Sequence, residues 1–287
     1  MSRRNAEILL VTVIIARSTS YLLSKITMDT MGPLTLMGFR FLLAFAILAV
    51  IFYKRLLHIK KDTLLRGLAM GGLFFAVMCA ELFGLRTTPS STTSFLENTA
   101  VVFVPIFEAI LCRKLPQGKI FFSACLTLFG VGLLTLKGSG FSLHFGEMLC
   151  ILAAVFYAAS LILTDRLSRK DDAFVLGILQ VGFMGLFGMI GAFLFETPTL
   201  PQSGTDWLAI LFLAIVCSSF GFTLQPVAQK YTTSERSGIL CAVNPVAASV
   251  LGVIFLDEQL GLYGIAGAVL VMAGILIATI KADSAKQ

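Results

Sequence analysis

The sequence predicts an all-α polytopic membrane protein with ten transmembrane helices set as two inverted five-helix repeats. Three observations carry this reading. The 287 residues are 57% hydrophobic and only 13% charged, with a mean hydropathy of +0.92, outside the range of soluble chains. Charged clusters cut the chain into ten nearly uncharged runs, each close to the roughly 20 residues that cross about 30 Å of hydrocarbon. The first five runs resemble the last five, so that residues 1–140 and 141–287 form two repeats of one integrated transmembrane domain.

The first run, 8–27, follows the basic start Arg3 and Arg4 and is interrupted by Arg17. It ends in no small-x-small cleavage site and is expected to stay as an uncleaved helix. The second run, 34–53, lies between Pro33 and Lys54, and the third, 67–85, between Arg66 and Arg86. The fourth, 93–112, ends at Arg113, and the fifth, 119–136, ends before Lys137. In the second half, 147–164 ends before Asp165 and 174–195 lies between Asp172 and Glu196. The eighth run, 207–227, opens on Trp207, an interfacial anchor. Runs 237–256 and 262–280 end at Asp257 and Lys281. No connection has room for a soluble domain. Six cysteines (Cys79, Cys112, Cys125, Cys150, Cys217, Cys241) fall in or at the ends of spans without CxxC spacing, and His58 and His144 lie in loops. Neither a disulfide framework nor a metal or cofactor site is expected.

The formal net charge of +6 sets topology and does not call for nucleic acid. With the N-terminus placed in the cytoplasm, seventeen Lys and Arg fall on that side and three (Lys25, Arg86, Lys137) on the other, with Arg17 and Arg40 inside spans. This is the positive-inside bias of ten spans in a cell inner membrane with both termini cytoplasmic.

The repeat is legible at both ends of each half. "AEILLVTVIIARSTSYLLSK" (6–25) lies over "GEMLCILAAVFYAASLILTD" (146–165), matching Arg17 with Tyr157 and Ser20 with Ser160. "LTLFGVGLLTLKG" (126–138) lies over "LVMAGILIATIKA" (270–282), matching Gly130 with Gly274. An odd number of spans per repeat forces the second copy to enter the membrane from the opposite side. Secondary transporters use that design, with a substrate site at the repeat interface and access alternating between faces.

Ten short spans, an acidic residue before the first and sixth, Arg40 in "GFRFLLAF", Pro105 in "VVFVPIFEAIL", and "NPVAASVLGVIFLDEQLGLYGIAGAVLVMAGILI" (244–277) together resemble the EamA-type branch of the drug/metabolite transporter superfamily. The sharpest motif is the last, with its proline, Glu258 before the final helix and a glycine-spaced helix. The resemblance implies export of amino acids, metabolites or drugs through a central cavity lined by the first, third and fourth helices of each half. Arg17 and Ser18 stand where the family has "WG", and basic "CRKLP" replaces the acidic residue expected before the fifth helix.

Candidate site residues are the polar groups stranded inside spans. An arginine near a bilayer centre costs about 3 to over 10 kcal/mol unless partnered, and Arg17 is too deep to reach either surface. At helical spacing Ile14, Tyr21 and Lys25 share its face, and the repeat brings Tyr157. Arg17 is expected to contact an anionic or zwitterionic substrate, to hold helices together as a permanent ion pair with Glu97 as its first partner, or to stand in for the family's tryptophan with no role of its own. Counting along a regular helix, Glu97 and Glu108 point within about 20° of each other. Asn98 adds a polar group, and Asn244 sits before Pro245, whose missing N–H can free a carbonyl. The substrate-binding set is therefore Arg17, Tyr21, Glu81, Glu97, Asn98, Tyr157 and Asn244, with Glu81 and Glu97 the proton-coupling candidates. Arg40 is expected to anchor an interface, and Gly182, Gly185, Gly188 and Gly191 to form a groove for close helix packing.

An intramembrane enzyme would need a nucleophile with its base, or paired aspartates, inside spans. Every Asp lies in a loop or at a span boundary, and both histidines lie outside the bilayer. The expected function is a secondary exporter of small polar or amphipathic metabolites such as amino acids, with protons as candidate coupling ion; a non-transporting receptor or scaffold is the alternative. A positively charged pocket floor favours a carboxylate-bearing substrate. Expected partners are that small molecule and the lipid bilayer, for a monomer or homodimer.

Overall fold

A computed structural model describes residues 1–57, 59–111, 113, 118–134, 136–137, 140–141, 144–232, 237, 240–241, 243–259 and 261–279. His58, Cys112 and Lys114, read above as loop and span-end residues, lie outside these. The described helices are α1 (Arg3–Thr27), α2 (Pro33–Leu56), α3 (Lys61–Thr87), α4 (Ser90–Asn98) continuing as α5 (Ala100–Leu111), and α6 (Gly118–Leu134). The second half holds α7 (Phe145–Ser168), α8 (Ala173–Phe195) and α9 (Gly204–Phe212), which runs through a π-helical stretch, Leu213–Phe222, into α10 (Thr223–Gln229). It closes with α11 (Val243–Phe255) and α12 (Leu262–Thr279). Counting α4–α5 and α9–α10 as single rods gives ten, and seven of the described helices are long and apolar enough to cross a membrane. Between the halves, Leu136–Lys137 and Gly140–Phe141 pair as a two-rung antiparallel ladder.

Local chemistry sets the helix ends. Pro33 opens α2, where its missing N–H is no loss. Asp172 Oδ1 accepts from Phe174 N–H at 3.0 Å at the start of α8, and Ser203 Oγ from Asp206 N–H at 3.1 Å at the start of α9. Lipid-facing surfaces are apolar, as shown by exposed Val50, Phe195 and Leu262.

The fourth span departs from the sequence reading. It breaks at Thr99, where Thr99 N–H bonds Leu96 O at 3.2 Å and Val102 N–H bonds Thr99 O at 2.9 Å, tighter than α-helical pairing. The helical count that aligned Glu97 with Glu108 therefore does not hold across the break.

The pseudo-two-fold relation is explicit in the packing. A Cβ on Gly130 would press on Gly267 and Val271, and one on Gly274 on Ser123 and Thr127, each the residue 144 positions earlier. Among the described residues the non-glycine positions with positive φ are Arg113 (53°) and Asp257 (50°), again 144 apart. Near the chain start the offset is 140, and the α8–α9 connection is four residues longer than the α2–α3 connection, which accounts for the change. α2 packs on α8, and α6 on α12, across the axis. α1 packs on the α9–α10 rod and α11, while α7 packs on α3 and the α4–α5 rod, so each repeat lends its first helix to the other repeat's bundle.

α2 and α8 approach closely because glycines line the seam: a Cβ on Gly188 would meet the Gly38 backbone, and one on Gly185 the backbone of Phe41 and Leu42. With no hydrophobic drive between helices in lipid, this close van der Waals contact holds the pair. At the far end of the molecule Glu258 caps α4, its carboxylate accepting from Ser90 N–H at 2.5 Å, Ser91 N–H at 3.0 Å and Ser91 hydroxyl at 2.6 Å. Burial works against the charged form of Glu258, but the Ser91 hydroxyl and the two N–H groups outweigh it and lower its pKa below the usual carboxylate range.

Two outcomes are expected. Gly188→Val should destabilise the protein by about 1–3 kcal/mol or more through overpacking against backbone, read as a lowered thermal midpoint in detergent, whereas Gly204→Ala, with open space around it, should not. The Glu258 cap stabilises the fold above the ordinary carboxylate pKa of about 4.3 and is lost as pH falls through the lowered folded value. Glu258→Gln should therefore lower the midpoint at neutral pH, and the gap to the parent should close as pH drops below about 4.

Candidate functional site

α1 delivers the centre of the site. Arg17 lies about 15 Å from the nearer end of that helix. Its Nη1 donates to Gln225 Oε1 on α10, and its guanidinium lies over the Phe222 ring at 4.0 Å and 5.9 Å from the Tyr157 centroid. The π-helical stretch shifts the register of the residues after it, and Gly221 leaves the room that the aliphatic part of Arg17 occupies. One turn on, Tyr21 donates its hydroxyl hydrogen to Glu97 Oε2 and accepts from Asn244 Nδ2 at 3.2 Å. Glu81 reaches the same centre from α3, on the void that Tyr21 also lines.

Arg17, Tyr21, Glu81 and Asn244 line one void together with Ser20, Met78 and Phe222. Glu97 joins through Tyr21, and Tyr157 through Arg17. Asn98 is not brought in: its Nδ2 donates to Ser94 O at 2.8 Å in its own helix, and its Oδ1 is buried without a hydrogen bond. Three expectations change. Arg17 bonds a neutral amide, and Glu97 bonds Tyr21. The pocket floor is not simply positive, since two carboxyl groups face one arginine. The void measures about 10 Å³, the room of one water molecule, so the polar centre is closed rather than a hollow.

The repeat register explains which residues meet. Glu81 matches Gln225 and Glu97 matches Cys241 at the offset of 144, while Arg17 matches Tyr157 at 140. Tyr157 hydroxyl lies 3.4 Å from Cys241 Sγ, in the place where the first half would pair Arg17 with Glu97. All three ionisable members of this six-residue set come from the first half, and their counterparts are neutral. Sequence reasoning missed Gln225, Cys241 and Phe222 as site members. The first two were accessible by extending the repeat alignment, and Phe222 carried no signal.

Arg40 is fully buried beside this centre and acts as an anchor. Its Nε donates to Ser218 Oγ at 3.0 Å and its Nη1 to Ser20 Oγ at 2.8 Å, tying α2 to the π-helical stretch and to α1.

The sequence model of the EamA-like transporter family matches residues 4–136 and again residues 144–280. An uncharacterized transporter of Archaeoglobus fulgidus is 25% identical over 290 residues, covering 96% of this chain and 97% of its own. A protein of Salmonella typhimurium named a probable amino-acid metabolite efflux pump is 27% identical over 292 residues, covering 96% and 95%. A solved crystal structure spans 100% of both chains at a TM-score of 0.74 and 19% identity, which shows a shared fold.

Gln225→Leu should remove the acceptor of a partly buried guanidinium and cost about 1–3 kcal/mol, seen as a lower thermal midpoint. Gln225→Glu keeps an acceptor and should retain stability at neutral pH.

Proposed function

The chain belongs to the EamA-like transporter family, and from that premise we propose that it exports small zwitterionic or amphipathic metabolites, amino acids foremost, by alternating access in the cell inner membrane. The observation that carries this reading is the closed cluster of Arg17, Tyr21, Glu81, Glu97 and Asn244 on the pseudo-two-fold axis. It offers one cation and a carboxyl pair within one site, complementary to a carboxylate and an ammonium on one small molecule. Tyr157 and Phe222 supply aromatic walls for an apolar side chain.

A proton shared by Glu81 and Glu97 would give way to a substrate ammonium. Substrate leaving on one face and proton entering from that face would couple export to the proton gradient. The seventeen-to-three distribution of Lys and Arg supports a cytoplasmic position for the loops rich in these residues and for both termini. The names of the relatives support transport, and the amino-acid preference rests on the charge pattern of the site.

Radiolabelled amino-acid exchange in proteoliposomes tests the proposal. Exchange is expected, with Arg17→Ala weakening apparent affinity at least about tenfold, about the 1.4 kcal/mol of one lost charge-assisted bond. Glu81→Gln should abolish the response to an imposed pH gradient. Exchange indifferent to Arg17→Ala would overturn the site assignment, and a parent protein indifferent to the gradient would overturn the coupling.

A further inference from the structure

The site lies between two bundles, and the bonds that bridge those bundles at the two membrane faces are not equivalent. One bundle is α1 with the α9–α10 rod and α11, bringing Arg17, Phe222, Gln225 and Asn244. The other is α7 with α3 and the α4–α5 rod, bringing Tyr157, Glu81 and Glu97. For a substrate to enter the 10 Å³ void the bundles must part at one face.

At the face poor in Lys and Arg, two bridges straddle the short turn between α3 and α4. Lys25 at the end of α1 donates from Nζ to Leu85 O at 3.1 Å and to Thr88 O, on the last carbonyls of α3. Glu258, between α11 and α12, accepts the Ser90 and Ser91 N–H groups that open α4. A cation thus sits on a helix C-terminus and an anion on a helix N-terminus, each the favourable sign for the local dipole. Gly252 makes the second bridge possible, since a Cβ there would occupy the space of the Glu258 carboxylate.

Among the described residues, the opposite face repeats this scheme only in part. The position matching Lys25 is Asp165, which holds Arg169 at 2.8 Å and 3.0 Å, and Arg169 Nη2 donates to Thr232 O at 2.7 Å, Thr232 being the match of Thr88. Lys230 Nζ adds a bond to Asp171 O at 3.2 Å. The position matching Glu258 is Lys114, outside the described residues, and a lysine side chain has no acceptor to offer a helix N-terminus. Arg169 is moreover 48% exposed, where water competes with its contacts.

We infer that Glu258 and Lys25 are positioning residues that keep the Lys/Arg-poor face shut, so that the unloaded protein opens preferentially at the Lys/Arg-rich face and takes its cargo there. This rests on the transport reading above for its meaning, though the bias itself is a property of the empty protein. With the Lys/Arg-rich face cytoplasmic, the bias is that of an exporter.

The test needs no substrate. A thiol placed at the void by Met78→Cys is modified by a membrane-impermeant maleimide added to one face or the other of sealed vesicles, above the background of the parent's own cysteines. Modification is expected to be several-fold faster from the Lys/Arg-rich face. Glu258→Gln and Lys25→Gln should each raise the rate from the other face about tenfold. Ser91→Ala, which removes one of the three acceptor bonds, should give a smaller rise and serves where Glu258→Gln does not fold. A face ratio unmoved in folded variants overturns the inference. Loss of amino-acid exchange with a responsive ratio overturns the transport reading alone and leaves the gate standing.

Discussion

A guanidinium group held in the middle of a membrane-spanning helix needs partners from other helices, and the arrangement around Arg17 follows from that constraint. The α9–α10 rod supplies it with an aromatic face and an amide oxygen. That placement fixes the contacts between α1 and the second repeat. Tyr21, one turn along, then falls between Glu97 and Asn244, and links the fourth span of the chain to the ninth. Arg40 is held differently: its Nε and Nη1 donate to serine hydroxyls of neighbouring helices, and its Nη2 is buried without a hydrogen bond. One arginine faces a closed polar centre while the other serves the frame around it.

The frame itself comes from backbone proximity. Glycines along α2 and α8, and Gly130 and Gly274 on α6 and α12, let pairs of helices related by the axis touch at main-chain distance. These pairs flank the two bundles that hold the site. The division of labour is physical: the seams are held by close contact of main chains, whereas the bundle interface at the site is built from hydrogen bonds among long polar side chains.

Most of the fold was legible because its signals are long-range averages. Hydropathy gave ten spans, the Lys and Arg distribution gave the sidedness expected of them, and self-similarity gave the two repeats. Span ends shifted by a turn or more where polar first turns, such as Lys61–Arg66, continue a helix beyond its apolar core. The site was legible in part. Arg17, Tyr21, Glu81 and Asn244 announced themselves as polar residues in apolar runs, and Tyr157 through the repeat. Pairing was not legible, since it depends on the break at Thr99 and on the π-helical stretch, both local departures from the regular helix that residue counting assumes. Asn98 was equally polar and equally deep, but its amide turned back on its own backbone, which neighbouring sequence does not reveal.

The six matched positions at the axis also bear on how such a chain can have arisen. Two separate, identical subunits would be obliged to present the same side chain at both members of each pair, giving two arginines confronted by four glutamates, or none of either. Arginine against tyrosine, and glutamate against glutamine or cysteine, are combinations closed to a pair of identical halves and open to two halves left free to diverge.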